Sequence, residues 1–469
     1  MESKGFYKLS MTQRIGYGSG DLAQNLIFQT VAMYLLFFYT NVFGIDPLVA
    51  GVIFLIGRIV DIITDPIMGA FVDKHNPKNG KYRSYLIIGG IPLAGFAILC
   101  FWTGFSGSLL YAYVTFIGLT LGYTMVNIPY GALNASLTRD TDEITKLTSA
   151  RMFCANLGGL AVAYGVPVMV KMFSPDIWCA EEGEYIRLIG TPEAGNAWFL
   201  TMIIYASVAF LLLVFCYSQT RERVVIDEKE RMSVKWSDLW LELRRNRPLR
   251  ILALFFFTAF AMMAIGNSAG AFYMTYNINA PHMLPYFMAL GSIPAFIFLP
   301  LVPAIKRKIG KKQMFTVFLS IGIVGFGMLF LVPFFDNAIW FVLVAQFIKS
   351  VGVIVATGYM WALIPEVISY SEHKTGKRIS GIVNAITGLF FKGGLALGGL
   401  VPGVVLAFVG FDAELDTQTP LAEQGILWLV AGIPAIFLFI AMFIISKYDL
   451  TDEQIDKINM EIEQKHLNS

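Results

Sequence analysis

Apolar runs long enough to cross a bilayer alternate with short polar breaks along almost the whole chain. A transmembrane helix needs about 20 mostly apolar residues. Twelve segments reach that length, roughly 20–43, 48–72, 84–104, 109–136, 149–173, 197–217, 249–277, 284–305, 313–334, 338–366, 380–410 and 424–446. The longest hydrophilic break, 218–248, falls near the middle and divides the spans six and six. The pattern predicts an all-α membrane protein of 12 transmembrane helices in two pseudo-symmetric six-helix bundles. The expected divisions are an N-terminal bundle over 1–217, a central cytoplasmic loop over 218–248, a C-terminal bundle over 249–446 and a cytoplasmic tail over 447–469.

Two polar segments carry helical patterns of their own. In the central break Trp236, Leu239, Trp240 and Leu243 recur at i, i+3, i+4, i+7 and are followed by Arg244, Arg245 and Arg247. That spacing predicts an amphipathic helix lying in the membrane interface. In the tail, Thr451-x-x-Gln454 reads as a capping box opening a helix whose apolar side is Ile455, Ile458 and Ile462.

Lysine and arginine fall on alternate loops. Lys74, Lys78, Lys81 and Arg83, then Arg139 and Lys146, then Arg221 to Arg250, Lys306 to Lys312, and Lys374 to Arg378 lie on one side; the other carries only Lys171 and Arg187. The positive-inside rule places both termini in the cytoplasm. The halves echo each other, with short basic turns after the second and eighth spans and charged turns after the fourth and tenth. Repeated halves of this kind mark transporters, with cargo expected midway between them.

The second span holds charges where lipid should be: Arg58, Asp61 and Asp65 share one helical face. Each costs about 2.5–3.5 kcal/mol at a helix centre on insertion scales. Such a stripe is either a functional site or a buried ion network that locks helices together. Asp61 and Asp65 are one turn apart, close enough to share one cation or one proton, and Thr64 offers a hydroxyl ligand. Lys392 interrupts an apolar, glycine-rich span and needs an anion.

Composition adds exclusions. Charged residues make up 14% of the 469-residue chain, against about 25% in soluble proteins. The formal net charge of +2 points to no nucleic acid. Four cysteines and four histidines show no pairing framework and no metal-ligand spacing. The polar start MESKGFYKLSMTQR has no signal-peptide character. An enzyme is not expected, nor is a bound cofactor.

Six stretches resemble the glycoside–pentoside–hexuronide:cation symporters, the melibiose-permease family of the major facilitator superfamily. They are Tyr17-Gly-Ser-Gly-Asp21 with Asn25, Arg58-Ile-Val-Asp61-Ile-Ile-Thr-Asp65-Pro66, Gly80-Lys-Tyr-Arg83, Tyr123-Thr-Met-Val-Asn127-Ile-Pro129-Tyr130-Gly131, Lys374-Thr-Gly-Lys-Arg378 and Lys392-Gly-Gly394. The resemblance implies a major facilitator fold, alternating access, and a cation site of Asp61 and Asp65 with Thr124 as hydroxyl ligand and Lys392 facing them. It implies a metal site at Asp61, Asp65 and Thr124 if sodium is the coupling ion. Melibiose-type members carry carboxylates at the positions of Asn25 and Asn127; the amides here point away from an α-galactoside.

For cargo, Asn25, Asp21, Tyr123, Asn127, Arg151, Trp361 and Lys392 are the candidate contacts, with Tyr123, Asn127 and Tyr130 at i, i+4, i+7. Arg58, Lys392, Asp73 and Arg83 are candidates for a charge network and gate. The expectation is a plasma-membrane symporter of the bacterial inner membrane, monomeric, in contact with membrane lipid, coupling Na+ or H+ entry to a sugar, glycoside or oligosaccharide. The alternatives are a non-sugar cargo on the same scaffold, such as a lysolipid or organic anion, and a membrane enzyme or receptor.

Overall fold

A computed structural model describes residues 7–75, 77, 79–138, 140–179, 184–186, 188–223, 236–335, 339–375, 380–415 and 417–467. The described chain is helical apart from one ribbon. Helices α1 (Met11–Thr30), α2 (Pro47–Lys74), α3 (Ser84–Ile88), α4 (Gly90–Cys100), α5 (Leu109–Leu137), α6 (Thr141–Phe173) and α7 (Gly195–Gln219) make up the first half. Helix α8 (Trp236–Arg245) follows. The second half holds α9 (Arg247–Phe272), α10 (Leu284–Phe298), α11 (Val302–Ile309), α12 (Lys311–Leu331), α13 (Ile339–Met360), α14 (Leu363–Thr375), α15 (Ser380–Phe408), α16 (Pro420–Leu427) and α17 (Ile433–Ile445), and α18 (Asp452–Leu467) forms the tail.

Ten helices among the described residues are long and apolar enough to cross a membrane. The remaining two expected spans are α1, which is rich in polar groups and continues through π-helical turns to Val42, and the shorter α3–α4 segment, broken at Gly89. The chain is thus a multi-pass membrane protein.

Local chemistry sets the helix ends. Ser10 and Gln13 close a reciprocal capping box that starts α1 nine residues before the apolar run. Asp46 accepts from the Leu48 and Val49 amides while Pro47 supplies the first helical φ of α2. Thr451 and Gln454 form the expected box at α18. The expected helix in the central loop is α8, with Leu239 and Leu243 half-buried and Trp240 58% exposed under Arg244; residues 224–235 of that loop lie outside the described residues.

One element departs from the all-α expectation. The antiparallel pair β1 (Ile177–Cys179) and β2 (Glu184–Ile186) joins α6 to α7, with Ile177 opposite Ile186. It lies in a polar link between spans, where the backbone has no helix to satisfy it and a hairpin ladder does so.

The chain divides into two compact units. The first comprises Met1–Asp227, Asn267–Ser292 and Gly399–Ile426. Its core is an aromatic knot in which the Phe38 ring meets Phe101 at 5.0 Å and Trp198 at 5.8 Å. Short segments of the second half complete this unit. Tyr276 hydrogen-bonds Asn41, Phe272 packs edge-on to Phe37 at 5.2 Å, and Asn277 donates to the Glu423 carbonyl. A Cβ on Gly403 would lie 2.4 Å from the Pro47 carbonyl oxygen, so only glycine permits this approach. Arg14 and Lys146 converge on Glu143 at 2.9 Å each, and the Leu9 amide donates to the same carboxylate.

The second unit comprises Glu228–Gly266, Ile293–Gly398 and Leu427–Ser469. Val302, Met314 and Val355 form a buried cluster. Beside it Lys311 pairs with Glu366 at 2.7 Å and with Asp452 at 3.4 Å, Lys306 pairs with Asp452 at 2.8 Å, and the Tyr448 hydroxyl donates to Glu366. These charges anchor α18 to the bundle end.

Candidate functional site

The charged stripe of α2 is turned into the first unit. Asp61 is 3% exposed although it lies in a helix whose other face (Ile59, Ile63, Ile67) is exposed and apolar. Arg58 Nη1 donates to Asp61 Oδ2 at 2.8 Å, one turn away, and its guanidinium lies 5.6 Å from the centre of the Phe28 ring. From α5, buried Thr124 places Oγ1 3.0 Å from Asp65 Oδ1 and 3.4 Å from Asp61 Oδ1. One hydroxyl therefore bridges both carboxylates. Thr64 does not join them by a hydrogen bond; its hydroxyl donates back to the Val60 carbonyl at 2.8 Å.

A small cavity of about 30 Å³ adjoins the stripe, lined by Arg58, Asp61, Tyr123, Phe28, Phe116 and Thr120 among others. That is room for a water or two, or a dehydrated ion. The donor set is all oxygen: two carboxylates and a hydroxyl, suited to a hard cation or a proton. Among the described residues no three His, Cys, Asp or Glu side chains gather as a metal site, so any metal held at the stripe has two carboxylates at most from this group. Two carboxylates facing one guanidinium match a single positive charge.

The cargo candidates of the first unit fall into one neighbourhood. Arg151 on α6 forms a side-on pair with Asp21 on α1, through Nε to Oδ2 at 2.5 Å and Nη2 to Oδ1 at 3.4 Å. The guanidinium also lies 4.8 Å from the Tyr130 ring and 5.6 Å from the Tyr17 ring. Asn25 donates to the Asp21 carbonyl at 2.9 Å. Tyr123 packs against Phe28 at 5.7 Å, and Asn127 is half-buried on α5 one turn past Thr124. The expected Tyr123–Asn127–Tyr130 face is split: Tyr130 is fully buried, stacked on Tyr17 at 4.9 Å, and donates to the Tyr17 carbonyl at 2.7 Å. It positions Arg151 from beneath.

Trp361 and Lys392 belong to the second unit. Trp361 sits at the break between α13 and α14, edge-on to Phe256 at 4.8 Å and 43% exposed. Lys392 is half-buried on α15. Of the gate candidates, the Asp73 side chain lies outside the described residues. Arg83 donates to the Asn79 and Thr220 carbonyls at 2.5 and 2.9 Å. Its own backbone amide, with those of Lys81 and Tyr82, donates to the Glu222 carboxylate at 2.7–3.0 Å. Sequence reading missed Glu222, whose partners lie more than a hundred residues away, and Glu143, whose partners Arg14 and Leu9 do too. It also missed Gln29, whose i+4 spacing from Asn25 was the available signal.

The family described as MFS/sugar transport protein matches residues 16–452. The chain is 42% identical to the uncharacterised symporter YnaJ of Bacillus subtilis (strain 168) over 468 residues, covering 99% of this chain and 97% of that protein. It is 31% identical to the glucuronide carrier protein homolog of Escherichia coli (strain K12), covering 98% and 96%. The crystal structure of a D-xylose-proton symporter superposes with a TM-score of 0.67 at 14% identity, covering 94% of this chain and 98% of that one, which shows the shared fold. A chain with ten membrane-length apolar helices among its described residues, matched over nearly its whole length by symporters, is a transporter and not an enzyme: the chain belongs to the major facilitator superfamily, in its glycoside–pentoside–hexuronide:cation symporter family.

Proposed function

We propose that this protein carries a sugar or glycoside into the cell by symport with Na+ or H+, the ion seated between Asp61 and Asp65. The observation that carries the reading is the Thr124 hydroxyl shared by both carboxylates, at 3.0 and 3.4 Å, beside the Arg58–Asp61 pair. Two carboxylates so placed repel each other unless a cation or proton joins them. Loading therefore removes repulsion between successive turns of α2 and ties α2 to α5 through Thr124. Asn127, one turn further along α5, and Tyr123, next to Thr124, take their positions from the same helix. Cargo held by Asn25, Asp21, Tyr123, Asn127 and Arg151 then binds best to the ion-loaded carrier. Amides and a paired guanidinium suit sugar hydroxyls, and the aromatic faces suit the C–H side of a ring.

The coupling follows from the same charges. A carrier holding cargo alone encloses two mutually repelling carboxylates with no ion between them, and one with the ion alone leaves the amides unsatisfied. Movement between inward and outward access is then easiest when the carrier is empty and relaxed or fully loaded. Uptake of a radiolabelled glycoside panel into right-side-out vesicles, with Na+ and H+ gradients imposed separately, tests the reading. Concentration of at least one glycoside above the outside level under one of the two gradients is the expected result. Gradient-independent equilibration of every glycoside tried would overturn it.

A further inference from the structure

The polar face of α1 does not end at Asn25. Asp21, Asn25 and Gln29 stand at i, i+4 and i+8, and hydrogen bonds join them into a ladder. Arg151 holds the Asp21 carboxylate, Asn25 Nδ2 donates to the Asp21 carbonyl at 2.9 Å, and Gln29 Nε2 donates to Asn25 Oδ1 at 3.5 Å. The facing helix α6 makes room for it with paired glycines. A Cβ on Gly158 would lie 2.9 Å from Asn25 Cβ, and one on Gly159 would meet only Gln29 Nε2, at 3.9 Å. Gln29 is half-buried, not enclosed in the core.

The carboxamides are only partly used. Each amide nitrogen carries two N–H groups. Among the described residues, Asn25 uses one in the ladder and Gln29 uses one, while Gln29 Oε1 has no donor. Gln29 thus keeps a free acceptor and a free N–H side by side on one planar group, the arrangement that bonds two neighbouring hydroxyls. Eight residues of helix separate Asp21 from Gln29, about 12 Å of rise. That is longer than one pyranose ring.

Resting on the symport reading above, we propose that Gln29 is a chain-length specificity residue: it binds the second ring of a disaccharide or larger glycoside whose first ring lies against Asp21, Asn25 and Arg151. A monosaccharide leaves Gln29 unengaged; a disaccharide satisfies it.

The test compares wild type with Gln29→Ala and Gln29→Glu, measuring uptake of methyl glycosides and of the matching disaccharides in vesicles. In the wild type, disaccharide should be carried with the lower KM. Gln29→Ala should raise KM for disaccharide about tenfold, the loss of one or two hydrogen bonds, with maximal rate kept and methyl-glycoside uptake unchanged. Gln29→Glu, which keeps an acceptor, should recover part of the loss. Equal losses on both cargo sizes would mark Gln29 as structural and overturn the proposal, as would no loss on either, or a wild type that carries only single rings. Failure of the wild type to concentrate any glycoside would instead overturn the symport reading, and this inference with it.

Discussion

Removing one partner of the Arg58–Asp61 pair should cost more stability than removing both, while either change stops accumulation. The two side chains are 15% and 4% exposed and meet at 2.8 Å. At an effective dielectric constant of about 20 their attraction is on the order of 6 kcal/mol, and desolvation of both groups offsets most of it. The net value of the pair is therefore small. The cost of breaking it is not: an uncompensated charge left at such a site costs about 3–5 kcal/mol. Asp61→Asn leaves Arg58 against the Phe28 ring with its carboxylate partner gone. Arg58→Gln leaves Asp61 and Asp65 one turn apart with their neighbouring guanidinium removed. The double variant Arg58→Gln/Asp61→Asn removes both charges and lets two amides meet. Apparent melting temperatures of purified protein in detergent should fall by several degrees in each single variant, and the double variant should recover most of that fall. Gradient-driven accumulation should be absent from the double variant and from Asp61→Asn, because stability returns without the ion seat. Losses that simply add in the double variant would refute the pairing argument. Normal accumulation by the double variant would show that the pair only locks helices.

Three further outcomes follow from particular contacts. Burial of Glu143 favours its neutral form, but hydrogen bonds from Lys146, Arg14 and the Leu9 amide outweigh this and hold its carboxyl below the usual range. A depressed carboxyl contributes stability that is complete above its unfolded value, about 4.3, and is lost as pH falls through the lower folded value. Melting temperature followed below pH 5 should therefore decline more steeply in the wild type than in Glu143→Gln, and parallel curves would count against the cluster. Gly403→Ala places a methyl 2.4 Å from the Pro47 carbonyl oxygen, whereas Gly388 has nothing within 4 Å. Overpacking of this kind costs about 1–3 kcal/mol, so thermal stability should drop for the first alanine and hold for the second. Glu222→Ala leaves the amides of residues 81–83 without their acceptor; trypsin should then cleave at Lys81 or Arg83 faster than in the wild type, and an unchanged rate would sink the role given to that carboxylate.

Much of this was legible before any coordinates, for a physical reason. Lipid permits few charges, so Arg58, Asp61 and Asp65 stand out of the second apolar run, and their spacing alone puts them on one face. Helix ends announced themselves where local chemistry sets them, as at Thr451 and Gln454. Thr124 was different: threonine is common in spanning helices, and only resemblance singled it out before the hydroxyl was found between the carboxylates. Tyr130 shows the limit of periodicity. It shares a helical face with Tyr123 and Asn127, yet Tyr17, over a hundred residues away, covers it. Glu143, Glu222 and the Asn41–Tyr276 contact were equally hidden, because their meaning depends on partners that only the fold brings near. The β1–β2 ribbon is too short to leave a pattern.

The central claim is that Asp61 and Asp65 convert a cation gradient into sugar accumulation. It is tested most directly in proteoliposomes loaded to impose a Na+ gradient or a H+ gradient, comparing wild type with Asp65→Asn. The wild type should concentrate its glycoside under one of the gradients and stop when that gradient is collapsed, while Asp65→Asn exchanges glycoside without concentrating it. Accumulation by Asp65→Asn equal to that of the wild type, or wild-type accumulation that survives collapse of both gradients, would contradict the account.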